Sequence, residues 1–307
     1  MKQRKNGAGK LSRKLLTILT LTAMPMLGYT ADNSIYIDQS GSNSTIAITQ
    51  DGYGNVAKGI ASGNTTPALI NGITNSVTVN QIGMNNLLSL GIQTTTGGVT
   101  TLPDGTTVAV PTVNYSVTGN NATAIINSNN AGSGTSVSNY INIQQTGNNA
   151  NANINLLGAN NAIKAVTTGD NNSAVVSTKG NRNRDNLELT GAGNSATLSQ
   201  GTALLGSNDN TIGIKTNGAS NTYGITQTGG TNGNSVSVGG YALDTSYGSS
   251  NLVTVNQSGT KDNTVVLGLT GDSNTIGVTQ TATAGNNVTN LKVNGSTNSI
   301  TINQTNR

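Results

Sequence analysis

The chain has 307 residues, of which only 8% are charged and 3% are aromatic, with 40 glycines and no His, Cys, Phe or Trp. Without His or Cys it lacks the usual general bases, thiol nucleophiles and zinc ligands, which argues against an enzyme or a metal protein. A conventional globular core of this length would hold more large apolar side chains. We therefore expect no catalytic residue, no metal site and no cofactor, and no ordinary globular domain.

Residues 1–31 have the pattern of a secretory signal peptide. An apolar stretch from Leu15 to Leu27, too short to span a bilayer comfortably, precedes the small residue Ala31. The basic residues that open this segment are Lys2, Arg4, Lys5, Lys10, Arg13 and Lys14. The alternative is a retained membrane anchor. Removal of the signal peptide with its six basic residues leaves 9 basic against 11 acidic residues, a net charge of −2 rather than +4. We expect a secreted protein at the cell surface or outside the cell, with no nucleic-acid partner.

The rest of the chain repeats the phrase Asn-x-apolar-x-apolar-x-Gln, usually followed by Gly. It reads NSIYIDQ from Asn33, NSVTVNQ from Asn75, NYINIQQ from Asn139, NTYGITQ from Asn221, NLVTVNQ from Asn251, NTIGVTQ from Asn274 and NSITINQ from Asn298. Side chains alternate along a strand, so one face carries two aliphatic residues between two amides. Buried amides are costly unless their hydrogen bonds are made, and identical units stacked about 4.8 Å apart would make them. The repeat predicts amide ladders.

Glycine spacing gives the period of the repeat. Gly147, Gly158, Gly169, Gly180 and Gly191 lie eleven residues apart, with a β-rich run between each pair. Eleven residues form one strand and one turn, so two such arches close a coil of about 22 residues. The predicted fold class is all-β: a β-solenoid of stacked strand-turn-strand repeats with a cross-β-like core, containing about nine or ten coils.

Several stretches break the rhythm, and the longest of them divides the chain. We assign repeats to residues 32–86 and 137–307, and an irregular insert to residues 87–136. The insert contains Pro103-Asp104-Gly105 between two β-rich runs, which predicts a hairpin. An insert of this kind is a candidate surface for a glycan or receptor.

The pattern resembles the curlin repeat, Ser-x5-Gln-x4-Asn-x5-Gln, of bacterial curli fibres. Ser44-x5-Gln50-x4-Asn55 fits the first half of that repeat, as does Ser138-x5-Gln144-x4-Asn149, although most other copies here open with Asn. The resemblance implies export through an outer-membrane secretion pore and self-assembly into extracellular amyloid-type fibres for adhesion or biofilm matrix. It also implies a nucleator subunit as a further partner.

The resemblance carries ladder positions onto Gln39, Gln50, Asn55, Gln81, Gln145, Gln227, Gln257, Gln280 and Gln304. The expected assembly ladder also contains the amides that open the repeats, namely Asn33, Asn75, Asn139, Asn221, Asn251, Asn274 and Asn298. The main alternative is a monomeric β-solenoid, an adhesin or a phage or virion fibre protein, that binds a receptor or glycan through residues 87–136. A polysaccharide-modifying enzyme would need the region from Lys179 to Asp185, which contains the one later basic cluster.

Overall fold

The computed structural model describes residues 32–61, 65–73, 75–93, 98–101, 107–110, 112–129, 140–158, 161–201, 209–229, 233–238 and 248–307. The expected signal peptide, residues 1–31, lies outside them. No helix long and apolar enough to cross a membrane is found within these ranges. The described chain forms 25 strands: β1 (Ser34–Ile35), β2 (Ile37–Ser42), β3 (Thr45–Tyr53), β4 (Val56–Lys58), β5 (Ala68–Ile73), β6 (Ser76–Met84), β7 (Leu87–Gln93), β8 (Gly98–Thr101), β9 (Thr107–Val110), β10 (Thr112–Thr118), β11 (Thr123–Asn129), β12 (Tyr140–Thr146), β13 (Asn151–Leu157), β14 (Ala162–Thr167), β15 (Ser173–Lys179), β16 (Arg184–Leu189), β17 (Ser195–Gln200), β18 (Thr211–Thr216), β19 (Thr222–Gln227), β20 (Ser235–Val238), β21 (Leu252–Gly259), β22 (Asn263–Thr270), β23 (Thr275–Ala282), β24 (Asn287–Asn294) and β25 (Ser299–Asn306).

Two parallel sheets contain nearly all of these strands. The first sheet runs in the order β1-β4-β7-β11-β13-β15-β17-β19-β21-β23-β25, with β2 and β5 beside it, and the second in the order β3-β6-β10-β12-β14-β16-β18-β20-β22-β24. From β10 onward, successive strands of the chain alternate between the two sheets. Each coil therefore contributes one strand to each of the two sheets, and we call such a strand a rung. The predicted all-β solenoid is confirmed. Eleven rungs of the first sheet span about 48 Å at the usual strand spacing.

The length of a coil varies along the rod. In the central coils Asn151 pairs with Ser173 and Ser173 with Ser195, an advance of 22 residues each time. Near the amino-terminal end Ser76 pairs with Thr112, so that coil contains 36 residues. The rungs stay in register because the additional residues lie in the connections between them.

The segment 87–136 differs from the irregular insert expected from the sequence. Strands β7, β10 and β11 are ordinary rungs of the two sheets, and only β8 and β9 form a separate antiparallel pair. The sequences of β10 and β11 do not show the repeated phrase. In β10, Val117 occupies the position of the closing Gln, and in the β11 rung Ala122 and Ser128 replace the two amides. The expected turn residues Pro103 to Gly105 lie outside the described residues.

Each sheet buries the aliphatic residues that the alternation placed on one face. In the first sheet one column is formed by Leu90, Ile126, Ile154, Val176, Leu198, Ile225, Val255, Val278 and Ile302. All but the last are at most 2% exposed. Burial of each such side chain stabilises the fold by roughly 1.5–3 kcal/mol. The core is thus a narrow column of packed apolar side chains along the rod.

An unbroken glycine column forms the turn that leads from the second sheet back to the first. Its members are Gly52, Gly83, Gly119, Gly147, Gly169, Gly191, Gly218, Gly248, Gly271 and Gly295. At nine of the ten, a Cβ would collide with the carbonyl oxygen of the glycine one coil further on, and Gly271 also has a φ of +113°. Only glycine allows the coils to approach this closely.

Candidate assembly site: polar ladders and open terminal rungs

An asparagine ladder runs along the first sheet at the start of most rungs and is interrupted at Ala122 and Ala150, before β11 and β13. The Oδ1 atom of Asn251 accepts the backbone N–H of Asn274 at 2.9 Å, and Asn274 Oδ1 accepts that of Asn298 at 3.0 Å. Asn251 Nδ2 donates to Gly271 O at 2.9 Å and to Asn221 Oδ1 at 3.0 Å. Each asparagine therefore satisfies its buried amide by joining neighbouring coils, as the alternation of the repeat requires.

A glutamine ladder lies at the other end of the same rungs. Five residues form it, with Nε2-to-Oε1 distances of 3.0, 2.9, 2.9 and 2.7 Å along Gln200, Gln227, Gln257, Gln280 and Gln304. The Nε2 groups of the first four residues donate toward the carboxyl-terminal end of the rod, and Gln304 Nε2 donates to Val288 O at 3.1 Å. The ladder thus has a direction.

Eight of the sequence-predicted residues lie together in these two ladders: Asn221, Gln227, Asn251, Gln257, Asn274, Gln280, Asn298 and Gln304. Five others lie near the amino-terminal end. Asn55 donates its N–H to Asn33 Oδ1 at 3.0 Å, and Gln50 Nε2 donates to Gln81 Oε1 at 2.7 Å. Asn75 Nδ2 lies 3.4 Å from Ser44 Oγ.

The structure separates two predicted residues from the glutamine ladders. Gln39 is opposite Ile70, and Gln145 is opposite Val117 in one neighbouring strand and Thr167 in the other. Gln145 Oε1 instead accepts a hydrogen bond from the Tyr115 hydroxyl at 3.2 Å. Asn139 lies outside the described residues. A role in assembly remains a prediction for the whole set.

The expected assembly ladder leaves out several ladder amides that the structure buries: Asn86, Asn161, Asn172, Asn183, Asn194, Gln200, Asn210, Asn234, Asn263 and Asn287. Asn194 and Gln200 belong to a weaker copy of the phrase, NSATLSQ. The strands of the others mostly lack the closing Gln, so the full phrase was absent. A shorter signal would have found many of them, since Gly-x-x-Asn closes most of the coils, as in Gly169 to Asn172.

Asp185 is the one charged side chain among the buried residues that the structure describes. It points into the second sheet's inner column between Ile163 and Ile212. Burial raises the pKa of its carboxyl to about 7, while the hydrogen bond from Thr178 and the charge of Arg184 oppose the rise. Asp185 Oδ2 accepts the Thr178 hydroxyl at 2.8 Å, and Oδ1 has no partner.

The basic cluster around Asp185 is largely paired at the surface. Arg182 makes two contacts of 2.7 Å with the carboxylate of Asp209, which raise the pKa of the guanidinium. Lys215 lies 3.4 Å from Glu188. Burial lowers the pKa of the half-buried Arg184 guanidinium. No group of three metal-ligating side chains occurs in the described part of the chain.

Among the described strands, none pairs with the outer edge of β1 or of β25. In β25, Ile300 and Ile302 continue the inner columns but are only partly buried, whereas Ile276 and Val278 one coil earlier are each 1% exposed. Ile35 and Ile37 are likewise partly buried at the other end. Each end therefore presents a strand edge, half-covered aliphatic side chains and ladder amides to solvent.

One comparison with known proteins bears on this repeat. The family described as Curlin associated repeat matches residues 248–281. The matched stretch contains β21, β22 and all of β23 except Ala282, and with them the ladder residues Asn251, Gln257, Asn274 and Gln280. No curated protein matches the chain.

Proposed function

We propose that this curlin-repeat protein is a structural subunit that self-assembles into extracellular amyloid-type fibres for adhesion or biofilm matrix. The observation that carries the proposal is the rung β25, which has the inner pattern of an internal rung but pairs with a described strand, β23, on one side alone. An incoming strand of the same pattern would complete the columns and ladders together.

The physical gain from adding a rung comes from three sources. Ile300 and Ile302 would lose their remaining exposure to water, which contributes on the order of 1 kcal/mol each. The strand edge would gain main-chain hydrogen bonds, and the ladders would gain amide bonds of about 0.5–1.5 kcal/mol each. An unfolded chain that adds to an existing end makes these contacts as it folds, whereas the first chain must form its coils without a template, so growth from an end is favoured over nucleation.

The expected export and partners follow from the leader and from the family. Under this proposal residues 1–31 direct secretion, an outer-membrane pore releases the chain and a nucleator subunit supplies the first template. A surface glycan or receptor could then be bound by the fibre rather than by one subunit.

Seeded growth tests the proposal. Residues 32–307 are diluted from denaturant and followed by static light scattering and amyloid-dye fluorescence. We expect a concentration-dependent lag that fragmented product abolishes. A β-rich protein that remains monomeric at all concentrations, with or without seeds, would refute the proposed function.

The β8–β9 pair favours a second candidate, a monomeric adhesin or a phage or virion fibre protein. This pair is antiparallel and lies outside both parallel sheets, so it does not contribute to the stack. Replacing residues 94–111 with a short turn should abolish glycan or receptor binding if this candidate is right, and should leave seeded growth intact if the fibre proposal is right.

A further inference from the structure

We infer that Thr178, Asp185 and Gln200 form a self-modification site, at which the Thr178 hydroxyl attacks the side-chain amide of Gln200 and joins two coils through an ester. The three side chains are fully buried, and the Thr178 hydroxyl contacts the other two. The product is a covalent link between the rungs β15 and β17. The inference goes beyond the proposed function and does not depend on it, because both linked residues belong to the same chain.

The fold places the Thr178 hydroxyl beside the amide of Gln200. Thr178 in β15 pairs with Gln200 in β17, and Thr178 Oγ1 lies 3.5 Å from Gln200 Oε1. The carbonyl carbon is one bond of about 1.23 Å from that oxygen, and the final torsion of a glutamine side chain is soft. A small rotation of the Gln200 amide therefore brings its carbonyl carbon within reach of the hydroxyl. The two side chains are not bonded in the structure, which shows the arrangement before the reaction.

Asp185 is the base of this site. It extends across the core from β16 in the second sheet, and its Oδ2 accepts the Thr178 hydroxyl at 2.8 Å. Burial raises the pKa of this carboxyl to about 7, and a base with a pKa near the ambient pH is the most effective at removing a proton. Its Oδ1 has no hydrogen-bond partner. A hydroxyl between a base and an amide is the arrangement that an activated nucleophile requires.

The reaction exchanges one bond for another and needs no co-reactant. Asp185 takes the proton of the Thr178 hydroxyl as Oγ1 forms a bond to the carbonyl carbon of Gln200. The carbon–nitrogen bond of the amide then breaks, and the proton passes from Asp185 to the departing nitrogen. Ammonia leaves, and Asp185 is a carboxylate again. The new ester lies beside the buried Leu156, where water is excluded, so its hydrolysis is slow.

A second threonine–glutamine pair lacks such a base. Thr289 Oγ1 donates to Gln304 Oε1 at 2.9 Å and accepts a hydrogen bond from Gln280 Nε2 at 3.1 Å. Asp185 is the one charged side chain among the described buried residues, so none of these supplies a carboxylate to Thr289. We expect no ester between Thr289 and Gln304, and this pair is therefore an internal control.

Peptide mapping of the full chain tests the inference. Trypsin separates Thr178 from Gln200, because Lys and Arg residues lie between them. The chain is folded at pH 8 at a concentration too low for assembly, then denatured and digested. We expect the peptides 165–179 and 185–215 to be joined in most chains, with a mass about 17 Da below their sum through the loss of ammonia. Fragmentation should place the link on Thr178 and Gln200.

Substitutions assign the role of each residue. Thr178→Val removes the nucleophile and should abolish the joined peptides, whereas Thr178→Ser keeps a hydroxyl and should retain them. Asp185→Asn keeps the shape of the side chain but removes the base, and should slow formation of the link at least about ten-fold. In the same digest of the parent chain, the peptides that contain Thr289 and Gln304 should remain separate. Circular dichroism verifies the fold of every variant.

Each contrary result overturns a stated part of the inference. A folded parent chain without joined peptides would overturn it entirely, as would joined peptides in the Thr178→Val variant. Loss of water in place of ammonia would put the link between Thr178 and Asp185 and overturn the assignment of Gln200. Equal rates in the parent chain and the Asp185→Asn variant would overturn the role of Asp185. None of these measurements requires fibre growth, so they succeed or fail independently of the proposed function.

Discussion

Replacing Asp185 tests how a buried carboxyl group affects the stability of the core, because this residue lies in an apolar column. Its neighbours along the second sheet are Ile163 and Ile212, and its Oδ1 atom has no hydrogen-bond partner. A neutral carboxylic acid fits this site better than a carboxylate. The pKa is accordingly raised from 3.8 to about 7, with burial as the main cause.

The raised pKa of Asp185 determines the size and the sign of the change in stability with pH. A raised pKa means that the unfolded chain ionises above about pH 4 while the folded chain stays protonated until about pH 7. The free energy of unfolding should therefore fall between these values, by at most about 4 kcal/mol, and then level off. The contribution of the Asp185 carboxyl to the free energy of unfolding is fully present below about pH 4 and is lost above about pH 7.

Protonation also affects the hydrogen bonds of the ladder. The Thr178 hydroxyl has one hydrogen, with Asp185 Oδ2 at 2.8 Å and Gln200 Oε1 at 3.5 Å. A carboxylate takes that hydrogen. A protonated Asp185 can instead donate to Thr178, which releases the hydroxyl to donate to Gln200. Acid would then complete a one-way chain of donors through the glutamine ladder.

Urea unfolding at pH 4 to 8, followed by circular dichroism at concentrations too low for assembly, measures the effect. We expect Asp185→Asn to flatten the pH profile, while the same change at exposed Asp51 leaves it intact. Asp185→Ile, which extends the column of isoleucines, should flatten it as well. A parent chain whose free energy of unfolding rises from pH 4 to 7, or variants that keep the parent's slope, would contradict a buried, protonated Asp185.

Three further substitutions test the stack and are measured by the same unfolding assay. Gly271→Ala should lower the free energy of unfolding by more than about 2 kcal/mol, because φ at this residue is +113° and the new Cβ would meet a backbone carbonyl. Gly277→Ala, whose Cβ would have nothing within 4 Å, should change it by less than about 1 kcal/mol. Asn251→Ala should cost about 2–4 kcal/mol through lost ladder bonds, and Asn256→Ala, on the exposed face, under about 0.5 kcal/mol. Tyr223→Phe should cost about 1 kcal/mol by removing a buried hydrogen bond of 3.0 Å to a threonine hydroxyl. Equal effects within either matched pair, or no loss in the tyrosine variant, would contradict this description of the packing.

Alternation and glycine spacing were sufficient to predict the solenoid. The phrase from Asn251 to Gln257 specifies a strand, its inner face and its ladder contacts, and the structure places them accordingly. The same reasoning missed the rungs β10 and β11, where Val117 and Ser128 replace Gln. Val117 is fully buried at that position and Ser128 is 2% exposed, so the fold accommodates side chains other than Gln there.

The position of individual ladder residues depends on features that one repeat does not contain. Gln39 matches the phrase but faces Ile70, because the second rung of the first sheet is interrupted between β4 and β5. Asp185 gave no periodic signal because it breaks the apolar pattern. Its burial is apparent only after β16 is placed between β14 and β18.

X-ray diffraction from aligned assemblies tests the central claim most directly. If coils of one chain continue the stack of the next, the strands lie perpendicular to the fibre axis. We expect a meridional reflection near 4.8 Å and an equatorial reflection near 10 Å. A 4.8 Å reflection on the equator would contradict stacking of the coils along the fibre axis, and a chain that forms no fibres at any concentration would contradict self-assembly.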